Sequence, residues 1–162
     1  MSLWKRRRLL EPGARAPEFR LTRLDGGEAA LSEIVANGPA LLVFFKVTCP
    51  ICQLTLPFLE RIHAGGTLPI FGISQNDADD TRDFNREFGP TFPMLLDTEE
   101  SRFAVSDAFG ISSVPTMFLV ESDGTISHVA EGWRKTEIEW IGGKAGVRPF
   151  RPSDYVPEWK AG

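Results

Sequence analysis

The sequence predicts an α/β fold: a three-layer sandwich with a mixed central sheet, helices on both faces and an added N-terminal hairpin. Three observations carry this expectation. Two short, largely apolar stretches, residues 40–45 and 68–74, enclose an amphipathic helical stretch, and that order demands a parallel crossover. Residues 116–121 and 126–131 both read as strands, and Asp123-Gly124 between them signals an antiparallel hairpin. The length of 162 residues, with 42% hydrophobic and 25% charged residues, suits one soluble core. It excludes a disordered chain and a fibrous repeat.

The elements come in this order. Residues 1–13 are expected to form a loose arm whose basic cluster, Lys5 to Arg8, is solvated. Residues 18–22 alternate like a half-buried strand, with Phe19 and Leu21 on one side. Leu24-Asp25-Gly26-Gly27 turns the chain into a return strand over 28–31. Ser32 is expected to cap one helical turn that Asn37-Gly38-Pro39 ends. Ala40-Leu-Leu-Val-Phe-Phe45 is continuously apolar and reads as a central strand covered on both faces.

A helix comes next, with Ile51, Leu54, Phe58 and Ile62 at helical spacing and Leu59 widening the stripe. It should end before Gly65-Gly66, and Pro57 inside it removes one backbone donor. After the strand at 68–74, Asp79-Asp80-Thr81 is expected to cap a helix carrying Phe84 and Phe88. Residues 92–97 contain a short strand, and 101–109 a short helix closed by Gly110. A last helix is expected over 136–141, ended by Gly142-Gly143. The body thus spans 14–143. Residues 144–162 form a Pro- and aromatic-rich tail in which Phe150, Tyr155 and Trp159 are expected to pin the chain down.

Charge narrows the function. Lys plus Arg is 18 against 22 for Asp plus Glu, a net charge of -4, which argues against nucleic-acid binding. No apolar run is long enough to span a bilayer. Glu11, Pro12 and Gly13 come directly after Leu9-Leu10, so the start lacks the apolar region of an export signal. The chain as given is expected to be cytoplasmic; a form from which a leader had been removed would be extracytoplasmic.

The chemistry concentrates in Cys49-Pro50-Ile51-Cys52, which holds both cysteines of the chain at a strand-to-helix junction. The first turn of a helix presents unpaired N–H groups and the positive end of the dipole. A thiolate placed there is stabilised, so its pKa falls and it reacts at neutral pH. The three-residue spacing brings the second sulfur alongside the first, where a disulfide closes with little backbone movement. Pro50 fits the first helical position, where its missing N–H costs nothing. A four-thiolate zinc site is excluded by count, and neither His63 nor His128 stands at a ligand spacing to the cysteines.

With Val114-Pro115-Thr116 just ahead of the hairpin, this arrangement resembles the thioredoxin superfamily, a thioredoxin-like sandwich. Over residues 14–142 it is similar to the TlpA-like and AhpC/TSA-like (redoxin) branch. The matching pieces are Ala16-Pro17-Glu18-Phe19, Leu24-Asp25-Gly26, Phe92-Pro93-Met94-Leu95-Leu96-Asp97, Phe109-Gly110-Ile111, Phe118-Leu119-Val120 and Asp123-Gly124-Thr125-Ile126. The resemblance implies Cys49 and Cys52 as the catalytic dithiol. It implies a cis Pro115 that holds the Val114 backbone open to an extended substrate and keeps metal off the thiols. Thr48, Pro50 and Val114 are the expected substrate contacts. The implied partners are a protein or small-molecule disulfide or dithiol, and an external reductant or oxidant that recycles the pair, with no cofactor and no resident metal.

The chain also departs from that pattern. Thr48 replaces the frequent Trp, and Val43 and Thr55 stand where relatives carry an acid. Lys46, three residues before Cys49, is a candidate modulator of its pKa. Two rival readings stand beside thiol–disulfide exchange. A peroxiredoxin-like thiol peroxidase would have Cys52 resolve a Cys49 sulfenic acid, but the pattern Pro-x-x-x-Thr-x-x-Cys fails, with Leu42 and Lys46 in its first two positions. A non-catalytic module would use the dithiol to carry metal.

Overall fold

The computed structural model describes residues 8–162; Lys5, Arg6 and Arg7 of the expected basic arm lie outside the described residues. The strands are β1 (Arg20–Arg23), β2 (Glu28–Ala30), β3 (Ala40–Phe45), β4 (Ile70–Ser74), β5 (Met94–Leu96), β6 (Thr116–Val120), β7 (Ile126–Glu131), β8 (Trp133–Arg134) and β9 (Trp159–Lys160). The helices are α1 (Leu31–Ile34), α2 (Pro50–Gly65), α3 (Ala78–Phe88), α4 (Ala104–Phe109) and α5 (Lys135–Ala145).

The main sheet runs β2-β1-β5-β4-β3-β6-β7, and β8 and β9 form a separate pair. β3 is parallel to β4 and β4 to β5, while β6 is antiparallel to both β3 and β7, and β1 to both β2 and β5. The expected parallel crossover and hairpin are both present, and the sheet is mixed.

The apolar run at the centre has a simple cause. Every residue of β3 is buried. Leu41, Val43 and Phe45 pack with Leu56, Leu59 and Ile62 of α2, Phe84 of α3 and Ile138 of α5. Ala40, Leu42 and Phe44 face the other side, with Leu31 of α1 and Phe109 of α4. A strand with a core on each face has no solvent side on which to place a polar residue. On the second face Phe44, Phe109 and Phe118 form an aromatic trio with ring centroids 5.0–5.7 Å apart, in edge-on and tilted arrangements.

Several local expectations are corrected. Ser32 does not cap α1: Ala30 occupies the cap position, without a side-chain bond, and Ser32 lies inside the helix. α3 starts before Asp79-Asp80-Thr81. Its cap is Asp77, which accepts from the Asp80 N–H at 2.8 Å, so Asp79 and Asp80 stand in the acidic first turn. The stretch 101–109 is broken: Glu99–Ser101 is a 3₁₀ turn, and Arg102 and Phe103 take left-handed backbone angles before α4 begins.

α5 does not end at Gly142-Gly143 but runs to Ala145 and is closed by Gly146 at φ 79°. Gly142 is instead a point of close approach, since a Cβ there would stand 2.6 Å from the Val147 carbonyl oxygen. The arm is not loose over its described part. Leu10 N–H donates to the Phe109 carbonyl and Gly13 N–H to that of Ile126, and Leu9 and Leu10 pack on the second core face. In the tail, Phe150 packs on Phe58 and Trp133. Tyr155 is 97% exposed and pins nothing; Trp159 is half exposed and holds on through its backbone in β9.

Candidate active site

Cys49 sits where β3 hands over to α2. It is the N-cap of the helix, with extended backbone angles, and Pro50 occupies the first turn as expected. Its sulfur accepts the Cys52 backbone N–H at 3.1 Å. That N–H is one of the unpaired donors of the first turn, so the helix start itself solvates the sulfur.

The segment leading to Cys49 is braced by residues with no signal in the sequence. Asn76 Oδ1 accepts from the Val47 N–H at 3.0 Å, and Gln53 Nε2 donates to the Val47 carbonyl at 3.0 Å. Asn76 N–H donates in turn to Ser74 Oγ at 3.1 Å, and the Ser74 and Thr81 hydroxyls share a bond of 2.7 Å. Only tertiary pairing reveals these roles, because Asn, Gln and Ser here form no motif or periodicity.

The two sulfurs are unequal. Cys49 is half-buried and Cys52 fully buried, and both are free thiols. The expected α2 stripe is buried at Phe58, Leu59 and Ile62, but ahead of them Cys52, Thr55 and Leu56 face the core, while Ile51 and Leu54 are only partly buried. Cys49 has its pKa lowered to about 6, first by the hydrogen bond from the Cys52 thiol, then by the backbone N–H groups of Cys52 and Ile51, with Lys46 adding a smaller share. Desolvation opposes this and loses. The Cys52 thiol is pushed far up by burial and by its bond to Cys49. At neutral pH the pair is therefore a thiolate at position 49 and a thiol at 52.

The remaining expected site residues gather here. The Cys49 sulfur lies 3.5 Å from the Val114 carbonyl oxygen, 65 positions away in sequence. The Val114–Pro115 bond is cis, and Pro115 is buried while Val114 is partly so. Thr48 and Pro50 are exposed on either side of Cys49, and Lys46 is exposed too. Val43 is fully buried, and Thr55 Oγ1 donates to the Ile51 carbonyl at 2.7 Å. A shallow groove of about 250 Å³ borders the site, walled by Val47, Thr48, Phe84 and Phe88 and rimmed by Asp80, Asp83 and Glu87.

Among the described residues, no group of three His, Cys, Asp or Glu side chains is placed to hold a metal ion. His63 lies edge-on to Phe92, and His128 pairs with Glu137 and stacks on Trp140. Leu42, at the proline position of the peroxidase pattern, lies in the second core, and Lys46 offers no hydroxyl where that pattern has Thr.

Comparison with known proteins agrees with this geometry. The thiol-disulfide oxidoreductase ResA of Geobacillus thermodenitrificans is 27% identical over 124 residues, 74% of this chain and 69% of that protein. The methylamine utilization protein MauD of Methylobacillus flagellatus is 35% identical over 119 residues, 70% of this chain and 54% of that protein. The thioredoxin domain of a thiol-disulfide oxidoreductase from Bacteroides vulgatus superposes with a TM-score of 0.73 at 20% identity, covering 83% of this chain and 97% of that one, which shows the thioredoxin-like fold. The model of the AhpC/TSA family matches residues 12–129, most of the sequence, and the chain belongs to that family.

Proposed function

We propose that the chain is a thiol–disulfide oxidoreductase in which Cys49 is the nucleophile and Cys52 the resolving thiol. One observation carries the reading: a partly exposed sulfur that caps a helix and accepts the Cys52 N–H stands three residues from a fully buried one, an arrangement that lowers the pKa of the first and raises that of the second. The thiolate is the species that attacks a disulfide.

The Cys49 thiolate attacks one sulfur of a substrate disulfide, forming a Cys49–substrate bond and releasing the other sulfur as a thiolate, which takes up a proton. Bonding removes the negative charge from Cys49. Both influences of Cys49 that raise the Cys52 pKa, the hydrogen bond and the charge, then vanish. Cys52 gives its proton to solvent, attacks the Cys49 sulfur and expels the second substrate thiolate, which takes up a proton in turn. The substrate gains two electrons and the pair becomes the Cys49–Cys52 disulfide. An external dithiol restores the pair; run backwards, the same steps oxidise a substrate dithiol.

With Val43 and Thr55 at the acid positions, the loss of the Cys49 charge and hydrogen bond lowers the Cys52 pKa on mixed-disulfide formation, while its burial continues to hold that pKa up. Thr48, Pro50 and Val114 are the surfaces nearest the sulfur that a substrate segment would touch. The test is dithiothreitol-driven reduction of insulin. Cys49→Ser is expected to abolish it, and Cys52→Ser to accumulate a mixed disulfide that mass spectrometry detects. Full turnover by Cys52→Ser would overturn the dithiol mechanism.

A further inference from the structure

The tail reaches the dithiol. Its first part is anchored firmly: Phe150 packs between Phe58 and Trp133, and Arg61 holds Asp154 with bonds of 2.7 and 3.2 Å. Trp133 Nε1 donates to the Pro157 carbonyl at 2.5 Å, and the Lys135 N–H donates to that of Glu158 at 2.9 Å. From there β9 pairs with β8, Lys160 opposite Trp133 and Trp159 opposite Arg134.

Two glycines make room for the last residues of the tail. A Cβ on Gly132, which has φ 68°, would stand 2.6 Å from the Lys160 carbonyl oxygen and 3.0 Å from Gly162 N. A Cβ on Gly162 would stand 2.3 Å from the Val114 carbonyl oxygen and 3.4 Å from Pro115 N. That same Val114 oxygen lies 3.5 Å from the Cys49 sulfur. The tail therefore lies over the backbone edge nearest the reactive atom.

The hold on this last stretch is shallow. Trp159 and Lys160 are both exposed, and nothing after Glu158 belongs to either core. A two-residue pairing without side-chain burial is weak. Anchored at 150–158 and weakly held beyond, the segment has the form of a strap.

We propose that residues 159–162 are a strap over the Val114 edge that a polypeptide disulfide must displace to reach Cys49, and that a small disulfide passes by. This rests on the oxidoreductase reading for its consequence in turnover, while the strap itself is testable without it. A strap closed about nine tenths of the time lowers the apparent affinity for a displacing partner about tenfold.

The experiment compares alkylation of reduced Cys49 by iodoacetamide and by a bulky polyethylene-glycol maleimide, in the full chain and in a chain lacking residues 159–162. Removing the strap is expected to raise the ratio of bulky to small reagent rates about tenfold. Insulin reduction should rise by a similar factor while reduction of bis(2-hydroxyethyl) disulfide stays unchanged. Gly162→Val, whose added atoms collide with the Val114 carbonyl and lift the strap, gives a second reading should the shortened chain fail to fold. An unchanged alkylation ratio in a folded variant overturns the strap whatever the turnover shows. An unstrapped chain that gains access yet reduces neither disulfide overturns the oxidoreductase reading and leaves the strap standing.

Discussion

The Cys52 backbone N–H donates to the Cys49 sulfur at 3.1 Å, and the Cys52 side chain does most to lower the pKa of that sulfur. The residue proposed to resolve the mixed disulfide is thus also the main stabiliser of the Cys49 thiolate. In the proposed mechanism one residue holds the thiolate while the pair is reduced and attacks the same sulfur once a mixed disulfide has formed.

That double role predicts a graded response to substitution at 52. Cys52→Ala removes the side-chain donor and keeps the backbone one. A hydrogen bond to a charged group is worth about 1.5–3 kcal/mol, so the midpoint of Cys49 ionisation should rise by about one to two pH units. Cys52→Ser keeps a donor and should rise less. Thiolate absorbance at 240 nm against pH reads both variants; equal midpoints in the two would contradict the assignment.

Lys46 should matter little. Its ammonium is exposed, and it lowers the Cys49 pKa less than the hydrogen bonds from Cys52 and Ile51 do. Exposed charge pairs are screened by salt at about 8 Å in physiological ionic strength. Lys46→Gln is expected to raise the Cys49 midpoint by less than about half a pH unit, and by less still in high salt. A larger, salt-independent rise would mean that the side chain reaches the sulfur.

Asp97 is a structural residue with a measurable role. It is fully buried at the end of β5 and accepts from the Ser106 N–H and Ser106 Oγ, both at 2.7 Å, and from the Val105 N–H at 3.3 Å. α4 has no side-chain cap of its own, because Phe103 occupies the cap position. Asp97 closes that helix start from a distance. Asp97→Ala leaves buried donors unpaired and should cost about 2–3 kcal/mol in urea unfolding, with Cys49 reactivity retained. A loss of less than about half a kcal/mol would show that the helix start finds other partners.

Much of the site is legible in the sequence because it is local. Cys49, Pro50 and Cys52 lie within one helical turn, and β3 announces itself by being apolar at every position. What escapes a sequence reading depends on contacts across the chain. Asp97 serves α4 nine residues on, and Asn76 braces Val47 from the far end of β4. Gly142-Gly143 reads as a stop signal because glycine closes many helices, yet here α5 continues and Gly142 admits the returning chain. β9 is two residues long and exists only because β8 is there to pair with it. Only the first part of the α2 stripe departs from its reading: the small, apolar Cys52 thiol takes a core position there, and the larger Ile51 and Leu54 are left partly buried.

The central claim is that Cys49 is ionised at neutral pH while Cys52 is not. The pH dependence of Cys49 alkylation by iodoacetamide in the reduced protein tests it most directly, with the modified residue identified by mass spectrometry. Since only the thiolate reacts, the rate should climb as pH rises through about 6 and level off above it, with Cys52 unmodified. A rate still rising towards 9.0, the ordinary value for a thiol, would contradict the account.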